Sequence, residues 1–156
     1  MRIIKNRAVI RDRWRLEDGD DNDAGAGDNG AGRDARVIMP LQRYMKMRHA
    51  LCQTGRRVGV KLRAEDEVDR IAGDLGRIDL IALEFDAFNE GRGYSQAVQL
   101  RQLNFAGEIR ALNAHRDNLP LMERCGIDAY QLAAGENLDE ALDAFDEITA
   151  YYELNG

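Results

Sequence analysis

From Arg36 onward the chain repeats one unit, a short apolar run followed by a stripe of helical spacing, and this alternation leaves few folds open. Val37 to Leu41 is such a run, and Tyr44, Met45, Arg48, Leu51 and Cys52 follow at helical spacing before Gly55. Val58, Val60 and Leu62 predict a second strand. Val68, Ile71, Ala72 and Leu75, spaced i, i+3, i+4, i+7, predict a buried helical stripe closed by Gly76. The third unit has the run Leu80 to Phe85, a loop with two glycines and an arginine, and a helix expected over Ser95 to Leu103. The fourth pairs GEIRALN, from Gly107 to Asn113, with a helix near Leu119 to Arg124 that ends at Gly126. The fifth pairs Asp128 to Ala133 with a stripe of Leu138, Ala141, Leu142, Phe145, Ile148, Tyr151 and Tyr152, which Asn137 can cap with Glu140 reaching back.

Strands alternating with helices predict an α/β class with a mainly parallel sheet over residues 36–156. Five βα units suit either an open sheet of flavodoxin-like size or a partial barrel. An incomplete barrel leaves an edge strand exposed, to be covered by the N-terminal segment or by a second copy in a homo-oligomer. Residues 1–16 cluster β-formers (Ile3, Ile4, Ala8, Val9, Ile10, Trp14) around a turn at Asn6, and so predict an N-terminal β ribbon against the main domain. Residues 17–35 carry five glycines and seven acids, with nothing larger than Asp, Asn or Glu before Arg33, and predict a flexible loop. Asp18, Asp20 and Asp23 cluster there, but the closing glutamate of a calcium loop is missing.

A formal charge of −6 argues against nucleic acid as a partner, because phosphate neutralisation needs a basic face. Charge is nevertheless uneven. Residues 1–15 hold six basic side chains and one acid, whereas residues 136–156 hold seven acids and no base. Cys52 and Cys125 lie far apart and form no CxxC pair, so no zinc or redox motif is visible, and Cys125 in MERCGIDAY reads as a small buried hydrophobe. The opening MRIIKNRAVIRDRW has no apolar core or small-residue cleavage site of a signal peptide, and no long apolar run follows; a cytoplasmic protein without a membrane span is expected.

In a parallel sheet the βα loops gather at the carboxyl edge, where α/β folds place ligands. In NEGRGYS, Gly91 and Gly93 permit close backbone approach, Arg92 offers a planar fork for a phosphate, sulfate or carboxylate, and Ser95 can cap the helix. Together they form a candidate oxyanion cradle, or else a tight turn with a capping serine. In NAHRD, His115 offers an acid or base near neutral pH, Arg116 a second anion contact, and Asp117 an orienting group or helix cap. GRGYS lacks the third glycine of a dinucleotide fingerprint, and no phosphate loop, nucleophile elbow or HExxH is present.

The series ALEFDAFNEGRGYSQAVQLR, then GEIRA, RD and MERCGIDAY, with Asp12-x-Trp14 near the start, resembles the bacterial family known as domain of unknown function 934. Gly91, Arg92, Gly93, Tyr94, Ser95, Arg101, Arg110, Arg116, Asp117, Arg124, Cys125, Gly126 and Asp128 match its pattern. Glu90 replaces an expected Asp and Asn118 an expected Gln, and the segment holding Ala114-His115 is one residue shorter, which shifts weight from His115 to Arg92, Tyr94, Ser95, Arg116 and Asp117. The resemblance implies a link to sulfite reduction, since genes of members tend to lie beside those of assimilatory sulfate reduction. It thereby implies an accessory factor or oxidoreductase, with sulfite reductase or another sulfate-assimilation protein as partner and a small oxyanion as ligand. A flavin- or nicotinamide-dependent enzyme, with Tyr94 or His115 handling a proton, and a non-catalytic interaction module are the alternatives. No residue pattern names a cofactor.

Overall fold

The structure is a computed structural model, and it describes residues 1–17, 36–86 and 90–145. The expected flexible loop at 17–35 therefore lies, from residue 18, outside the described residues, as do Ile148, Tyr151 and Tyr152. Eight strands form one sheet: β1 (Arg2–Lys5), β2 (Ala8–Arg11), β3 (Arg15–Leu16), β4 (Val37–Pro40), β5 (Val58–Leu62), β6 (Leu80–Glu84), β7 (Glu108–Ala114) and β8 (Ala129–Leu132). Helices α1 (Leu41–Thr54), α2 (Glu90–Gln102), α3 (Leu119–Arg124) and α4 (from 138 through 145) alternate with the parallel strands. Between β5 and β6 runs a 3₁₀ helix, Val68–Arg77, where an α-helix was expected. Gly73 and Gly76 inside it lower helix propensity, and Tyr44 donates to Asp74 at 2.9 Å, which fixes that turn from α1.

The strand order is β2-β1-β8-β7-β6-β5-β4-β3. Strands β3 to β8 are parallel and lie in chain order, so right-handed crossovers put every helix on one face. The sheet therefore curls away from its helices. How far it curls follows from the chain itself. Arg11 ends β2 at one edge and Arg15 opens β3 at the other, so four Cα steps, at most about 15 Å, join the two edges. A flat eight-stranded sheet would hold its edges about 34 Å apart. Of the two expected architectures, this excludes the open flavodoxin-like sheet and leaves the curled half-barrel.

The ribbon does cover the exposed edge: β1 pairs antiparallel with β8, Ile4 opposite Tyr130. Asn6 and Arg7 make the two-residue turn to β2, both at positive φ (51° and 63°), the geometry that matches strand twist. Arg7 is held by two hydrogen bonds to Glu123, at 2.7 and 3.0 Å.

The main core lies between sheet and helices and includes Val58, Val60, Leu62, Ile81, Leu83, Ile109 and Ala111. Alternate residues face the inside of the curl. Ile38, Leu80, Ala82 and Leu112 form a second cluster there, with Trp14 and Leu16 against it. Trp14 lies over Gly59, where a Cβ would come within 3.1 Å of the indole. On the same inner face Arg110 is 1% exposed and bonds Glu108 at 2.9 Å and both Asp12 oxygens at 3.0 and 3.1 Å, while Lys5 pairs with Glu108 at 3.0 Å. A charge so buried is tolerated only with such partners. Asp12→Ala should therefore destabilise the fold by roughly 3–5 kcal/mol, read from urea unfolding.

Half-buried Asp128 accepts from the Ile109 amide at 2.8 Å. Burial raises its carboxyl above the ordinary range, against the opposing pull of that amide and of Arg101. A raised folded pKa favours folding below the unfolded value and loses that contribution as pH rises through the folded value. Asp128→Asn keeps an oxygen for Ile109, so the parent's melting temperature should fall relative to the variant's as pH rises from about 4 to 7.

Candidate functional site

The carboxyl ends of β5 to β8 and the loops leaving them form one edge, tied together loop by loop. Helix α2 begins at Glu90, earlier than the expected start at Ser95, so GRGYS is not a loop but the first turns of the helix. Gly93 is there for packing: a Cβ would lie 2.6 Å from the Phe85 ring, and only glycine lets the helix lean on that side chain. Tyr94 packs edge-on to Phe85 with ring centroids 5.2 Å apart. Ser95 is exposed on the outer side of α2, in a shallow groove with Tyr94, Val98 and Gln102, and does not cap the helix. Among the described residues nothing lies within 4 Å of where a Gly91 Cβ would be.

Arg92 reaches sideways to the preceding loop. Its Nε donates to the Ala64 carbonyl at 2.9 Å, and an Nη meets Glu67 at 3.4 Å. One turn further on, buried Gln96 donates to the Arg63 and Asp66 carbonyls at 2.8 and 2.9 Å. The second loop is thus tied to the start of α2. On the other side Asn113 has φ 62° at a bulge in β7, between Ala111 and Ala114, and donates to the Phe85 carbonyl at 3.0 Å. Bulges of this kind re-aim the end of a strand. Here it turns the chain into His115, whose Nδ1 lies 3.4 Å from Glu136 in the fifth loop. Arg116 and Asp117 follow in a 3₁₀ turn, Asp117 exposed and Arg116 half-buried with a partner of its own; Asn118, not Asp117, stands at the start of α3. The structure thus joins His115 to the fifth loop and Arg92 to the second. Among the described residues, no hydrogen bond or ion pair links Arg92 to His115 or Asp117.

Chemically, this edge offers the early turns of α2 with Arg92 on them and, from the fourth and fifth loops, the imidazole–carboxylate pair of His115 and Glu136. Among the described residues no group of His, Cys, Asp and Glu is placed to hold a metal ion. Lys61, Glu84 and Gln131, near the carboxyl ends of their strands and on the inner face by alternation, also border this end. No periodicity marked them, because LIALE is apolar on both faces, as buried parallel strands are.

Other residues of the motif series hold the frame. Arg101 donates to the carbonyls of Phe105, Gly107 and Gly126 at 2.7, 2.9 and 2.9 Å. Gly126, at φ 103°, has no room for a side chain beneath it, since a Cβ would meet Arg101 at 2.5 Å. Cys125 is half-buried against the core, and burial pushes its thiol up, away from a nucleophile's range. Arg43, in the first turn of α1, is buried in an ion pair with Glu17 at 2.7 Å.

The model of a family described as a bacterial protein of unknown function, DUF934, matches residues 59–155, well over half of the 156. The chain belongs to the DUF934 family. No curated protein matches it. The DUF934 match begins inside β5 and takes in α2, the β7 bulge and the His115 turn, so the whole carboxyl edge from β5 onward lies within it. No helix among the described residues is long and apolar enough to cross a membrane.

The bulge makes a specific demand on position 113. Asn113→Ala should cost about 1–2 kcal/mol by losing both the bond to Phe85 and a residue tolerant of positive φ, and Asn113→Gly should cost less, as measured by chemical denaturation.

Proposed function

We propose that this bacterial protein is an accessory factor of sulfite and sulfate reduction that holds a small oxyanion at the carboxyl edge of its sheet. The observation that supports the reading is the open backbone at Gly91 in the first turn of α2, with Arg92 held beside it by Ala64. An oxyanion there accepts from first-turn N–H groups and from the guanidinium donors that Ala64 and Glu67 leave unused. Arg116 and His115 add positive or proton-donating capacity from the neighbouring loop, and Tyr94 and Asp117 border it. The gene association implied by the family resemblance gives the oxyanion its class, and makes sulfite reductase the partner.

Calorimetric titration with sulfite should give saturable heat that weakens about tenfold in Arg92→Ala, the loss expected for one charge-assisted hydrogen bond. The tagged chain should retain sulfite reductase from a bacterial lysate. Absence of both sulfite heat and retained reductase would sink the reading.

A further inference from the structure

A second cationic site lies inside the curl, away from the edge just described. Arg36 immediately precedes β4 and Glu108 opens β7, so a cavity of about 310 Å³ between them sits toward the amino ends of the parallel strands. Its floor is the buried set of Arg110, Asp12, Glu108 and Lys5, two cations against two carboxylates and therefore neutral. Its rim carries Arg11, Arg13 and Arg36. None of these three guanidinium groups makes an ion pair or hydrogen bond among the described residues. Among the described residues the cavity lining therefore carries an excess of three positive charges, in a chain whose formal net charge is −6.

Arg11, at the end of β2, and Arg36, just before β4, are far apart in the sheet order, with Arg13 on the link between the two edges. They meet because residues 12–14 cross directly from β2 to β3, bringing the end of one edge strand beside the start of β4. The wall between them is the Trp14 indole, fixed from behind by Gly59 and Ile38. The site is therefore built from a buried, ion-paired floor, an apolar wall and three guanidinium forks that have no ion-pair partner among the described residues.

We propose that this cavity binds a small polyanion carrying at least two phosphate or carboxylate groups. The floor decides the valence. Arg110 spends its donors on Asp12 and Glu108, and those carboxylates repel an anion that goes deep, so the ligand stays at the rim. A single small oxyanion at the rim leaves at least one guanidinium unmatched, whereas a ligand with two or three anionic groups pairs with the forks bidentately. The volume is at the lower end for small-molecule pockets, which excludes a duplex and suits a compact metabolite. The larger cavity beside Cys52, about 550 Å³, is a weaker candidate, because Arg48 there is paired with Asp74 and Arg77 donates to the Cys52 sulfur.

Trp14 is the single tryptophan of the chain and lines the cavity, so its emission reports occupancy directly. The full chain is titrated with inorganic pyrophosphate and, separately, with citrate, each against sodium chloride of equal ionic strength, with calorimetry run in parallel. A saturable signal with either polyanion and not with chloride is expected, weakening about tenfold or more in the R13A/R36A double variant and with rising salt. Arg11→Gln, a milder change on the same rim, should weaken it in the same direction. Tighter binding of pyrophosphate identifies a phosphorylated ligand class, and tighter binding of citrate a polycarboxylate. Absence of saturable binding by both fluorescence and calorimetry, or binding of unchanged strength in R13A/R36A and Arg11→Gln, would overturn the proposal.

Discussion

The architecture depends on one short crossing. Residues 12–14 pass from one edge of an eight-stranded sheet to the other, and a chain that short can do so only if the sheet rolls up. The crossing is not slack. Asp12 accepts from Arg110 on β7 and from the Trp14 amide at 3.0 Å, and Trp14 beds on Gly59. A buried ion pair is a poor source of net stability, because desolvation offsets most of its attraction. Its use here is geometric: it fixes where the crossing segment lies inside the curl, and with it the register of both edges.

Much of this was legible from residues 36 onward. The strand positions follow the apolar runs, Gly55 closes α1 in the left-handed conformation, and Asn137 caps α4 through bonds from the Asp139 and Glu140 amides at 2.9 and 3.1 Å. The curl was not legible, since periodicity within each unit is the same whether successive strands form an open sheet or a rolled one. What decides between them is the length of the 12–14 link, and its meaning depends on which strands it joins. The family match begins at residue 59, so Asp12 lies outside the matched segment while its partner Arg110 lies inside it.

The candidate site was legible in place more than in detail. The GRGYS segment of α2 and the fourth loop do lie at the carboxyl edge, but glycine in a short motif has two readings that spacing cannot separate. Among the described residues nothing crowds a Cβ at Gly91, whereas Gly93 faces the Phe85 ring, so neighbouring members of one motif differ in whether packing requires the glycine. The same ambiguity hid Arg101 and Arg110, which look like ligand-binding arginines in sequence and are tied to backbone carbonyls and buried carboxylates in the fold. Of the rim arginines of the inner cavity, Arg11 and Arg13 belong to the basic run of residues 1–15, and nothing local shows that Arg36 will join them.

The pairing of β1 with β8 has a consequence for how the molecule assembles. Strand β1 pairs with β2 across the Asn6–Arg7 turn, but its other partner, β8, is the last strand among the described residues, and the Arg7–Glu123 contact that pins the turn spans 116 positions of sequence. Contacts of such separation carry a large loop-closure cost and form late. The βα units can dock one after another as they emerge, each against its predecessor, but the ribbon must wait. The inner cavity, lined from the ribbon, the 12–14 link, Arg36 and β7, therefore exists only once the ribbon has docked on β8 and the curl has closed.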